Sequence, residues 1–231
     1  PMCFSEKNLM RVHEFYRKHI VGLQHTSLME GDVPLSQWLG DFAPESIRVT
    51  PLFETKDALV HCDRYVEKYI DFARVEEYQR VWLARSDPAL NYSSTAAVLL
   101  EKIALLKLQR LQERSSLDIL PILGCGSAPF RGNFKPTNVM EMVREYPSVQ
   151  TFTAQSAFKY DYPLKEVLES VEKIRSTKRK EAPVVDVQRS LEFVEKMERD
   201  YVDSIKLLAP TINLMSRYVP QRRKRKLHID L

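Results

Sequence analysis

Cysteine is scarce: Cys3, Cys62 and Cys125 are the only three in a chain of 231 residues, and they stand far apart. An odd, dispersed set excludes a dense disulfide framework and a clustered cysteine zinc site, and it suggests a reducing compartment. No apolar run reaches the about 18 residues that a membrane span needs, so no membrane partner is expected. The opening residues, Pro1 to Glu6, lack a basic region followed by an apolar one. A secretory signal is therefore not expected, and the location expected is cytoplasmic. Solenoid repeats and low-complexity linkers are missing too. The histidines His13, His19, His25, His61 and His228 show no metal-ligand spacing with cysteine or acid, and read as surface or core residues.

A large surplus of one charge is also missing. The formal net charge is +4, and much of the excess sits near the C-terminus in Arg222 to Lys226. Charge alone does not make the whole molecule a polyanion binder. The basic run reads as a solvated face, with a nucleic-acid patch or localisation signal as the alternative. It has no aromatic residue nearby beyond Tyr218, whereas single-strand readers interleave aromatics with charge. A helical nucleic-acid adaptor is thus a weak rival, and nucleic acid is not an expected partner.

What is present is the composition of a soluble globular protein, 44% hydrophobic and 29% charged, on a chain long enough to bury a sizeable core. Apolar residues recur at helical spacing from Asn8 to Gln24, Thr55 to Asp71, Ser94 to Arg114, Asn138 to Tyr146, Leu164 to Ser176 and Val187 to about Tyr218. Thr55 is placed to cap the second of these helices, and Pro210 to kink the last. Between the helices lie short apolar runs: Ile47 to Glu54, Gln79 to Asp87, Leu117 to Leu123 and the alternating Val149 to Ser156. Leu227 to Leu231 has the pattern to begin a fifth strand. Strand and helix alternating at 30-odd residue spacing predicts an α/β fold of parallel strands with crossover helices, the strands buried on both faces.

Chemistry in such folds collects at the carboxyl ends of the strands. The third strand runs into Gly124-Cys-Gly-Ser-Ala-Pro-Phe-Arg-Gly-Asn133, a Gly-rich loop with one arginine. Glycines let backbone approach a ligand closely, and the Arg131 guanidinium fits carboxylate or phosphate oxygens. Glu54 and Asp87 end two other strands. Two carboxylates on separate strand ends suit magnesium or manganese, hard cations that leave positions open for substrate oxygens. Either acid alone would serve as well at a helix N-terminus. Beside the Gly-rich loop, the shared site is the preferred reading.

Five blocks carry a family resemblance. Val49-Thr-Pro-Leu-Phe-Glu54, Leu83-Ala-Arg-Ser-Asp-Pro-Ala-Leu-Asn-Tyr92, Gly126-Ser-Ala-Pro-Phe-Arg-Gly-Asn133, Thr151-Phe-Thr-Ala-Gln-Ser-Ala-Phe-Lys-Tyr-Asp161 and Tyr218-Val-Pro-Gln-Arg-Arg-Lys-Arg-Lys-Leu-His228 resemble, in this order, archaeal-type phosphoenolpyruvate carboxylase. The resemblance implies a barrel enzyme that joins bicarbonate to phosphoenolpyruvate, giving oxaloacetate and phosphate. It implies that Glu54 and Asp87 ligate Mg2+ (or Mn2+), that Arg131 holds bicarbonate and the departing phosphate, and that the whole protein is a homo-oligomer, tetrameric in the family. Gln155 and Lys159 fall in a matching block without an assignable step. Compared with bacterial and plant-type relatives, a lysine after the metal aspartate is replaced by Leu90. A histidine and an arginine before the loop arginine are replaced by Leu123 and Cys125. Arg85, two residues before Asp87, is the candidate to restore some of that charge.

Family members are roughly twice this length, and a complete eight-stranded barrel typically takes about 250 residues. Residues 1–231 are therefore expected to be one domain, the central part of a helix-rich, incomplete TIM-type (β/α) barrel lacking its partner segments at both ends. Alone it should expose apolar strand edges and have little or no carboxylase activity. Another phosphoenolpyruvate or pyruvate barrel, a lyase or mutase, is the nearer rival.

Overall fold

The computed structural model describes residues 2–219. One sheet of four parallel strands forms the frame, in the order β1 (Leu52–Phe53), β2 (Tyr78–Ala84), β3 (Asp118–Gly124) and β4 (Thr151–Phe152). The helices are α1 (Glu6–His19), α2 (Leu35–Leu39), α3 (Lys56–Val60), α4 (Cys62–Ala73), α5 (Ser86–Tyr92), α6 (Ser94–Ser115), α7 (Val139–Glu145), α8 (Leu164–Ser176) and α9 (Val187–Ser216). The helix-rich parallel α/β architecture is the one the sequence predicts. Among the described residues the sheet is open, with β1 and β4 at its edges.

Register aligns Phe53, Leu83, Leu123 and Phe152 in one row across the sheet. This row enters the core, where Phe53, Leu83 and Leu123 are fully buried. The centre of the core is α6, which packs against α3, α4, α5, α9 and β3. Its Ala97, Leu100, Ala104, Leu108 and Leu111 are buried, so the apolar stripe predicted for Ser94 to Arg114 is the one the fold uses at its centre. The next row, Leu52, Trp82, Ile122 and Thr151, points to the other face. There the expectation of strands buried on both sides holds at Ile122 of β3 but fails for β2. β2 alternates, with Tyr78, Arg80 and Trp82 exposed and Gln79, Val81 and Leu83 buried. Such alternation is what one covered face produces.

Several boundaries also move. The first strand is predicted from Ile47 but pairs only over Leu52–Phe53. Pro51 has no N–H to offer, the Val49 N–H goes to Tyr69 Oη (2.8 Å), and the Val49 carbonyl accepts from Gln79 Nε2 (2.9 Å). The segment predicted as one helix from Thr55 is two, α3 and α4, broken at His61, with Thr55 capping the first through its bond from Ala58 N–H. The strand expected to end at Asp87 stops at Ala84, and Ser86 and Asp87 open α5, where Pro88 is tolerated in the first helical turn. The fourth strand shortens to Thr151–Phe152, because beyond it the Thr153 hydroxyl bonds both N–H and carbonyl of Cys125. The helix predicted from Asn8 to Gln24 gives way after His19 to a 3-10 turn, Val21–His25. α9 runs through Pro210 to Ser216. The predicted fifth strand, Leu227 to Leu231, and the basic run Arg222 to Lys226 lie outside the described residues. All three cysteines are free and buried.

Candidate active site

Parallel strands deliver all their carboxyl ends to one edge. Glu54 follows β1 directly, Arg85 follows β2, the loop 125–133 follows β3, and Thr153 to Gln155 follow β4. Glu54 and the loop carrying Arg131 therefore reach one edge, with Asp87 near Glu54 on the helix that follows β2, whereas Arg85 is buried.

The loop after β3 is closed by its own backbone. The Gly126 N–H donates to the Arg131 carbonyl (2.9 Å), and Phe134 N–H donates to the Gly126 carbonyl (2.6 Å). Within it Pro129–Arg131 forms one 3-10 turn, ended by Gly132 at φ +90°. Gly126 is small for a local reason. A Cβ there would lie 2.6 Å from Gln155 Oε1 and 3.3 Å from Arg131 Cδ, so only glycine lets these two side chains meet over the backbone. They do meet: Arg131 Nη1 donates to Gln155 Oε1 at 2.5 Å. Sequence reasoning placed Gln155 in a matching block without a role, and its contact with Arg131 depends on β4 running beside β3. The Arg131 side chain is half-buried, its Nε is buried with no hydrogen-bond partner, and among the described residues no carboxylate lies within ion-pair distance of it. Its charge is available to an anion. Lys159 stands exposed on the turn Ala157–Asp161.

α5 carries Asp87 in its first turn and packs against the Pro129–Arg131 turn. Asp87 is exposed, while Glu54 is half-buried. Burial, and then the negative charge of Asp87, push the Glu54 carboxyl above its usual range. The two carboxylates are thus close enough to feel each other. Among the described residues no group of three or more His, Cys, Asp or Glu gathers as a metal cage, so a cation here would rest on two carboxylates and other oxygens. That donor set is one magnesium accepts, since it commonly keeps waters and takes one or two carboxylates.

Arg85 is placed differently from an arginine open to a ligand. It is 6% exposed, and its Nη1 donates to Glu101 Oε2 (2.8 Å) and to Tyr146 Oη (2.7 Å). The Tyr146 hydroxyl in turn donates to the same Glu101 oxygen (2.8 Å). Glu101 is fully buried in the middle of α6, and burial pushes its carboxyl up to about 7 against the opposing pull of Arg85 and Tyr146. Sequence reasoning did not single out Glu101. A signal was present: Ala97, Glu101, Ala104 and Leu108 share one helical stripe, which puts an acid in line with core residues. Of the residues that differ from bacterial and plant-type patterns, Leu123 and Cys125 are core and Leu90 is exposed.

The Glu101 carboxyl gives a pH dependence of definite sign. Below its ordinary value of 4.5 it is protonated both folded and unfolded. Between 4.5 and about 7 only the folded state keeps the proton, so its contribution to stability falls as pH rises and levels off above about 7. The unfolding free energy of wild type relative to Glu101→Gln should decline across that window. Parallel pH profiles for the two proteins would contradict the assignment.

These features define a class: a helix-rich α/β protein whose parallel sheet gathers carboxylates and an unneutralised arginine at the carboxyl ends of its strands. Comparison with known proteins gives the particular family. The model of the family described as phosphoenolpyruvate carboxylase matches residues 1–231, and the chain belongs to that family. It is 47% identical along its whole length to a phosphoenolpyruvate carboxylase of Pyrococcus furiosus and equally to one of Pyrococcus abyssi, and 41% identical to one of Methanospirillum hungatei. The chain spans about half the length of these curated relatives, 48% in each case.

Proposed function

We propose that the polypeptide carrying this chain adds bicarbonate to phosphoenolpyruvate, giving oxaloacetate and phosphate, and that this chain supplies the metal- and phosphate-binding part of the barrel. The observation that supports this most is the match to phosphoenolpyruvate carboxylases along all 231 residues. The rim chemistry agrees with it. Glu54 and Asp87 would hold Mg2+ or Mn2+, and their mutual repulsion is the kind that a divalent cation relieves. Bound there, the cation supplies Lewis-acid stabilisation of negative charge on the substrate oxygens. Arg131 offsets charge on the phosphoryl group as it passes to bicarbonate, and Gln155 fixes the direction of the guanidinium. Arg85 adds to the positive field of the rim from beneath it, its own charge largely answered by Glu101.

The open sheet fits an incomplete TIM-type barrel, residues 1–231 being its central domain and the remaining strands belonging to the other half of the polypeptide. On this reading the isolated chain has little or no carboxylase activity, and the whole enzyme is a homo-oligomer, tetrameric as in the family, in the cytoplasm. Three free, buried cysteines agree with a reducing compartment, and among the described residues no helix is long and apolar enough to cross a membrane. The test is product identity. Whole polypeptide supplied with phosphoenolpyruvate, bicarbonate and Mg2+ should release oxaloacetate and phosphate together, and none without bicarbonate. Phosphonopyruvate, the isomer formed when the phosphoryl group moves from oxygen to carbon without bicarbonate, would replace the carboxylase with a mutase barrel.

A further inference from the structure

Beneath the loop that carries Arg131 lies a cluster of Arg85, Glu101 and Tyr146, of which Glu101 and Tyr146 have no part in the reaction as proposed. A Cβ on Gly132 would stand 2.8 Å from Arg85 Nε, 3.2 Å from Arg85 Cδ and 3.2 Å from Met142 Cε. The backbone beside Arg131 therefore rests on the Arg85 side chain and on α7, and the left-handed conformation of Gly132 is what lets it settle there. Arg85 is fixed in turn from below by one carboxylate oxygen of Glu101 and by Tyr146, the residue that ends α7, and that same oxygen also accepts the tyrosine hydroxyl. All three side chains are buried, Glu101 and Tyr146 almost completely. A buried charge pair held by a third hydrogen bond has little freedom, and removing one partner leaves the other uncompensated.

We infer that Glu101 is a positioning residue for the anion site, acting through Arg85 and Tyr146 to seat loop 126–133 so that Arg131 faces the rim. It rests on the functional reading above for what Arg131 does, but the seating of the loop is independent of it. Glu101 touches no reacting atom. Its effect passes from α6 to Arg85 at the end of β2, and from Arg85 to Gly132, one residue from Arg131.

The test uses the whole polypeptide with Glu101→Gln, Tyr146→Phe and Arg85→Lys. Tyr146→Phe removes a single hydroxyl and keeps the ring in the core, so it remains informative where Glu101→Gln fails to fold. Hydrogen exchange of the loop amides, those of Gly126, Arg131, Gly132, Asn133 and Phe134, should quicken about ten-fold or more, the size expected when a buried charge-assisted bond is lost. Exchange in α4, which packs on α6 away from the loop, should stay at the wild-type rate. Oxaloacetate formation should fall by a similar factor in kcat/KM, with no further fall when the substitutions are placed in an Arg131→Ala background. Unchanged loop exchange in folded Tyr146→Phe, or equal acceleration throughout the molecule, would overturn the inference. A wild type that makes no oxaloacetate would overturn the carboxylase reading alone, and the exchange comparison would still decide the role of Glu101.

Discussion

Arg131→Ala should slow carboxylation by the whole polypeptide by about 10²–10³-fold, the loss typical when one preorganised donor aimed at developing negative charge is removed. The basis is the state of the guanidinium. Its Nη1 is held by a neutral amide, Gln155, its Nε is buried without a partner, and no carboxylate among the described residues neutralises it. An arginine kept half-buried in this way is costly unless an anion uses it. Arg131→Lys should recover only part of the rate, because an ammonium restores the charge but not the fork that meets two oxygens. Initial rates at saturating substrates decide the matter. A rate within a few-fold of wild type in Arg131→Ala would remove Arg131 from the chemistry.

Glu54→Gln and Asp87→Asn should each raise the Mg2+ concentration for half-maximal activity by at least about 10–100-fold, the range for loss of merely an outer partner of a metal ligand. Each substitution removes one negative oxygen donor while keeping the shape of the side chain. The double variant should lose less than the product of the two, since both acids are expected to serve one cation. The competing role is helix capping, and it predicts something else. Asp87 lies in the first turn of α5, where an acid contributes about 0.3–1 kcal/mol through the helix dipole. Were that its whole function, Asp87→Asn would lower stability slightly and leave the Mg2+ dependence unmoved.

The parts of the fold that were legible are those fixed by local pattern. α6 and β3 could be read because a long apolar stripe and a short apolar run have few alternative structures, and the loop after β3 could be read because glycines and one arginine interrupt that run. The limits of β1 and β4 were not legible. They depend on where the Val49 backbone and the Thr153 side chain place their hydrogen bonds, and those partners, Tyr69 and Cys125, are remote in sequence. The single open face of β2 was hidden for a similar reason, since Trp82 and Tyr78 are apolar enough to read as buried on either side. At the rim, Glu54, Asp87 and Arg131 could be nominated singly from strand ends. The Arg85–Glu101–Tyr146 cluster needed the tertiary fold, which brings α6, α7 and the end of β2 together.

The most direct measurement is the anomalous difference map from crystals of the whole polypeptide grown with Mn2+ and phosphoenolpyruvate. One manganese peak should lie between the Glu54 and Asp87 carboxylates, with a phosphate oxygen of the substrate on the Arg131 guanidinium. Manganese bound elsewhere, with Glu54 and Asp87 facing away from the substrate, would contradict the account.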